Sequence, residues 1–131
     1  MHTEILILAW GAVLLMANIL IAIQLKTRQY GRDWNAGNRD GEMPPPGEVA
    51  ARVSRAQANL AETFPVAMVA LLGVVLAGRT SDTTALGGWI WLGARFAYLA
   101  VYWAGIKYLR SLVYLVSLIG LAMVLWPLLR L

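Results

Sequence analysis

From Ile5 to Leu25 the chain is apolar, interrupted only by Asn18 and Gln24. Wound as a helix rising 1.5 Å per residue, that run crosses a hydrocarbon core of about 30 Å. Three further stretches read the same way, over residues 49–77, 84–106 and 111–129. The expectation is an all-α integral membrane protein, a four-transmembrane-helix bundle forming one domain over 1–131.

The connections fit that plan. Residues 26–48 are the one long polar stretch, a loop ending in Pro44-Pro45-Pro46-Gly47-Glu48. Proline and an acid there mark the first turn of the next helix. Gly78-Arg79-Thr80-Ser81-Asp82 is a short turn, and Lys107-Tyr108-Leu109-Arg110 a tight basic connection. Hydrophobic residues make up 60% and charged residues 14%, against about a quarter charged in a soluble domain. Such a chain cannot cover a water-facing surface with polar groups. No cysteine is present, which excludes disulfides, thiolate metal sites and a cysteine nucleophile. His2 has no ligand partners nearby, so no metal site is expected. The first apolar run is too long for a signal h-region and has no basic n-region.

The net charge of +4 sits beside the apolar spans, which points to lipid headgroups rather than nucleic acid. Lys26, Arg28, Arg32, Arg39, Arg52, Arg55, Lys107 and Arg110 all fall on one side of the four-span plan, against Arg79 and Arg130 on the other. Basic residues mark the cytoplasmic face, so both termini are expected on the non-cytoplasmic side. Trp10, Trp89, Trp91, Trp103 and Trp126 suit interfacial belts or helix contacts, and Asn18 an interhelical hydrogen bond.

The second span carries the chemistry. At about 100° per residue, Arg52, Arg55, Asn59 and Glu62 share one quadrant of a helix. Ionisable groups at that depth face a protein interior or a water-filled cavity. The stripe serves either as an ion-pair network fixing helix register or as a binding site. On the third span Arg95, Tyr98 and Tyr102 share a face, and the fourth opens with Arg110, Ser111 and, one turn on, Tyr114. Arginines clamp carboxylates, a glutamate accepts an ammonium group, and Asn and Tyr direct hydrogen bonds. These groups together can hold a small zwitterionic or anionic ligand.

The pattern Arg52-x-x-Arg55-Ala56-Gln57-x-Asn59-x-x-Glu62-x-Phe64-Pro65 resembles the membrane-associated proteins in eicosanoid and glutathione metabolism, the MAPEG family. A second block, Ala94-Arg95-x-x-Tyr98-x-x-x-Tyr102 followed by Arg110-Ser111-x-x-Tyr114, supports the resemblance. It covers nearly the whole chain. What it implies is a homotrimer with sites between subunits at the cytoplasmic side. It also implies a glutathione-dependent transferase or peroxidase that turns the glutathione thiolate on a lipophilic electrophile.

Residue by residue, the resemblance assigns Arg55, Asn59 and Glu62 to the polar ends of glutathione, and Tyr98 and Tyr102 to the site lining. Ser111 and Tyr114 join that lining, Arg28 closes it from the first span, and Arg110 stabilises the thiolate. Arg52, Arg95 and Gln57 are accessory, with Arg95 the more structural. Thr63 stands where some members carry tyrosine. The Tyr102-to-Arg110 spacing differs by about one residue from others, which makes Lys107 a competitor for the role of Arg110. Two rival readings remain. One is a non-enzymatic relative binding lipid or a partner protein. The other, more remote, is a small multidrug exporter, disfavoured because the first span holds only Glu4 at its start.

Overall fold

The computed structural model describes residues 2–130. Four long helices and one short one account for its secondary structure: α1 (Thr3–Tyr30), α2 (Arg32–Ala36), α3 (Glu48–Leu76), α4 (Asp82–Ala104) and α5 (Lys107–Leu129). No strand occurs among the described residues. Helix α1 continues past the apolar run, through Lys26 and Arg28, to a stop at Gly31. The polar segment after it is tied back to that end. Gln29 accepts from the Gly47 amide at 2.8 Å and donates to the Pro45 carbonyl at 2.9 Å, while the Tyr30 hydroxyl reaches the Pro44 carbonyl.

Among the described residues, three helices, α1, α3 and α5, are long and apolar enough to cross a membrane. Helix α4 is the same 23 residues long as α5, but Arg95, three glycines and its tryptophans and tyrosines keep it less apolar. Side chains on the outside are large and greasy: Met16 is 65% exposed, Val69 64% and Leu76 86%. Water around such a surface is strongly unfavourable, and lipid is its natural solvent.

The core runs along the middle of the bundle, where Ile7 and Leu14 of α1 meet Leu60, Leu71 and Val74 of α3, Trp91 and Leu92 of α4, and Leu121 and Val124 of α5. Trp91 is fully enclosed, so it serves as a helix contact rather than an interfacial anchor. Helix α4 packs most extensively on α5 and α1 on α3. The α4–α5 seam rests on two glycines. A Cβ on Gly87 would lie 2.7 Å from the Gly120 carbonyl oxygen, and one on Gly120 would lie 2.6 Å from that of Gly87. The backbones therefore touch, the close approach that small residues permit between apolar helices.

Only Gly105 and Ile106 separate α4 from α5. Gly105 takes φ 75°, a left-handed conformation that glycine adopts without strain. The basic stretch from Lys107 to Arg110 is thus the first turn of α5 and not a connection. Its charges suggest a loop, yet the reversal is complete before Lys107.

A second interhelical feature lies on α1. The Asn18 amide donates to the Val53 carbonyl at 3.2 Å and accepts from the Gln57 N–H at 3.3 Å. Those two backbone groups are the partners of one helical turn of α3, so Asn18 grips the α3 ladder beside Arg52 and Arg55.

Candidate functional site

Three helices converge at the end of the bundle where α4 gives way to α5. Arg55 of α3 donates through Nε to the Tyr102 hydroxyl of α4 at 2.9 Å. Its guanidinium carbon also stands 5.6 Å from the centre of that ring. Arg110 of α5 lies over the same ring at 5.0 Å. Tyr102 is therefore held between two cations, its hydroxyl accepting from one and its π face meeting both.

Around this trio opens a cleft of ≈270 Å³ lined by Arg52, Arg55, Tyr102, Gly105, Ile106, Lys107 and Arg110. Arg52 enters it by packing against the α4–α5 turn, where a Cβ on Gly105 would sit 3.1 Å from the guanidinium carbon. Its carboxylate neighbour is the exposed Glu48, 3.9 Å away. Four cations line the cleft and no carboxylate does. The first turn of α5 carries Lys107 and Arg110 and no acid, although the positive end of a helix dipole disfavours cations. Such an arrangement is self-repelling when empty and stabilised by an anion.

A second cleft of ≈220 Å³ adjoins the first through Arg110 and is lined besides by Asn59, Tyr98, Ser111 and Tyr114. Its aromatic wall is ordered by ring contacts. Tyr98 meets Tyr102 edge-on at 5.5 Å and Tyr114 at 5.9 Å. Behind the wall lies Arg95, only 2% exposed. Its guanidinium stands 4.6 Å from the Tyr98 ring and 5.7 Å from Tyr114. None of its three nitrogens has a hydrogen-bond acceptor among the described residues. Two π faces thus take the place of the carboxylate that a buried guanidinium would ordinarily seek.

The two clefts bring together Arg52, Arg55, Asn59, Tyr98, Tyr102, Lys107, Arg110, Ser111 and Tyr114 within one chain. Glu62 is exposed on α3 and lines neither. Arg28 lines a separate groove between α1 and the end of α4. Gln57 contributes its backbone N–H to Asn18. Gly105 and Ile106 are the lining residues that periodicity could not single out, because their part follows from a chain reversal and not from a helical face. Among the described residues, no three His, Asp or Glu side chains converge where a metal ion could be held.

The MAPEG family model matches residues 7–130. The chain belongs to the MAPEG family. Membership agrees with the apolar helices, and together they make this a multi-pass membrane protein. No curated protein and no solved structure matches the chain.

Proposed function

We propose that this protein is a glutathione-dependent membrane enzyme, of transferase or peroxidase type, acting at the cytoplasmic interface. The observation that carries the reading is the Arg55–Tyr102–Arg110 cluster inside a cleft of cations without carboxylates. Glutathione presents two carboxylates and a thiol. Arg55 offers its guanidinium to a carboxylate and Asn59 its amide, while Tyr98 and Tyr102 line the site. Arg110 faces the thiol and stabilises the thiolate. The chain supplies no thiol of its own, so the co-substrate brings the nucleophile. A free thiol has a pKa of about 8.5, and a guanidinium beside it in a low-dielectric pocket lowers that value. The thiolate then attacks a lipophilic electrophile arriving through the bilayer.

The same reading includes four spans, with α4 crossing beside α5, and termini on the non-cytoplasmic side. It also includes a homotrimer. In support, α3 presents a bare face on which Glu62 is exposed along with Val66 at 44% and Val69 at 64%. A neighbouring copy covers that face, and Glu62 then meets the ammonium group of a ligand bound between subunits.

The deciding experiment is isothermal titration of the purified protein with glutathione, followed by a panel of electrophiles and lipid hydroperoxides. Binding with turnover on one panel member supports the enzyme. Binding of lipid without any glutathione binding replaces it with the non-enzymatic reading.

A further inference from the structure

At the end of the bundle opposite the cationic cleft, Arg79 and Arg130 stand against the charge bias of the spans. They are 51 positions apart in sequence, and the fold brings them to one place. Both line a cleft of ≈370 Å³ with Thr80, Ser81 and Pro127, where the turn between α3 and α4 meets the end of α5. Two cations and two hydroxyls line it, and no carboxylate does. Asp82 follows Ser81 in sequence but is not part of the lining.

The way Arg79 is anchored decides which of its edges is offered. Its Nη1 donates to the carbonyls of Pro127 and of Arg130, the latter at 2.7 Å. Carbonyls at the end of a helix lack partners in its own ladder, so both protons of Nη1 are spent on backbone. Among the described residues Nε and Nη2 have no acceptor. Those two nitrogens form the side-on fork that takes an oxyanion through two parallel bonds. The Ser81 hydroxyl accepts from the Thr84 amide at 3.2 Å and keeps its own proton to donate.

The surroundings select the source of the anion. Leu76, Trp126 and Leu129 flank the lining residues in sequence and are 86%, 62% and 72% exposed. An exposed tryptophan among apolar side chains at a helix end marks the level of lipid headgroups. A soluble anion would gain nothing from that rim, and a metal cation would be repelled. A headgroup bearing an ammonium, as in phosphatidylcholine, finds no carboxylate to receive it.

We infer that this cleft binds the phosphate of one anionic phospholipid, held by the Nε–Nη2 edge of Arg79 and by Arg130, with the acyl chains on the apolar rim. The cleft shares no residue with the two at the other end of the bundle, so the lipid site and the glutathione reading stand or fall separately.

The test is phenylglyoxal modification of arginines in the full chain in vesicles, read residue by residue by peptide mass spectrometry. With Arg39 as the reference, phosphatidylglycerol should slow modification of Arg79 and Arg130 about fivefold relative to phosphatidylcholine, the preference one basic residue near the headgroups supplies. Arg130→Gln leaves Arg79 anchored on the α5 backbone and should remove most of the protection at Arg79. Native mass spectrometry gives a second readout: the number of phosphatidylglycerol molecules retained per chain on release from detergent should fall by one in Arg130→Gln. Equal modification rates in the two lipids, or an unchanged lipid count in Arg130→Gln, overturns the inference. Equal slowing by soluble glycerol phosphate assigns the cleft to a free anion and overturns the lipid. Arginines already slow to react in lipid-free detergent would show that the chain covers them itself, which overturns it too.

Discussion

Arg55 and Tyr102 are 47 positions apart in sequence and joined by a hydrogen bond of 2.9 Å between α3 and α4. The bond aims a guanidinium into the cleft and leaves its outer nitrogens free for a ligand. Tyr102→Phe keeps the ring on which Arg110 stacks and removes only the hydroxyl. A hydrogen bond to a charged group is worth about 1.5–3 kcal/mol. Glutathione affinity should therefore fall about tenfold or more, with turnover at saturation falling much less. Calorimetric titration of parent and variant checks it, and unchanged affinity would show that the bond does not orient Arg55.

Arg110 should behave in the opposite way. Its interaction grows when the sulfur becomes negative, so alanine should cost turnover far more than ground-state binding. A depression of the thiol pKa by roughly two units corresponds to about 2.7 kcal/mol, or about a hundredfold in the thiol's ionisation constant. Thiolate absorbance against pH should appear below the free-thiol range in the parent and move upward in Arg110→Ala. If the profile and single-turnover rate do not move, Lys107, which lines the same cleft, takes the role.

The glycine contact between α4 and α5 sets up a test of packing. Gly87→Ala and Gly120→Ala each place a methyl group against the facing backbone, and backbone cannot step aside as a side chain can. Overpacking of this kind costs about 1–3 kcal/mol. Both variants should unfold at clearly lower temperature in detergent. Gly93 is the control: a Cβ there meets nothing within 4 Å, so Gly93→Ala should be neutral or slightly stabilising. Equal melting of all three would mean that the two helices are not in backbone contact.

Asn18 offers a smaller effect with a local readout. Replacing it by leucine removes both bonds to α3 and leaves an apolar side chain between the helices. Polar contacts of this type contribute about 0.6–2 kcal/mol in membranes. Amide hydrogen exchange at Val53 to Gln57 should quicken more than in the half of α3 beyond Pro65. Uniform exchange along α3 would count against the grip.

Orientation is tested separately. Reporter fusions that are active only in the cytoplasm should be silent at Met1 and Leu131, since eight basic residues flank the opposite ends of the spans. A detergent-corrected mass of three chains is the matching expectation for assembly.

Much of this is legible in the residues, and the parts that are not share a physical cause. Apolar runs reveal α1, α3 and α5 because length and composition suffice for them, and spacing places Arg55 with Asn59 and Tyr98 with Tyr102. Periodicity assigns a residue to a face but not to a partner. It therefore groups Glu62 with Arg55, although within one chain Glu62 lies two turns further along α3 and lines neither cleft, and it gives no sign that Arg28 lies beside Trp103. Gly87 and Gly120 carry no pattern, because a glycine contact becomes visible only when two backbones meet. The start of α5 is hidden by its charges, which resemble a loop until the turn at Gly105 is known.

The pairing of α4 with α5 also bears on how the protein is made. In the four-span arrangement, α4 takes Arg95 into the bilayer and lacks the long apolar run that α1, α3 and α5 each hold. A helix of that kind is a poor candidate for release from the translocation machinery by itself. Tyr114, one of the two rings over its guanidinium, belongs to α5, and the glycine seam holds the two backbones together. The pair is thus equipped to leave the translocon as one hairpin, with the later-synthesised helix bringing the cover that the earlier one needs. Truncation after Ala104 should leave α4 stranded outside the bilayer, open to glycosylation or protease at sites that the complete chain protects.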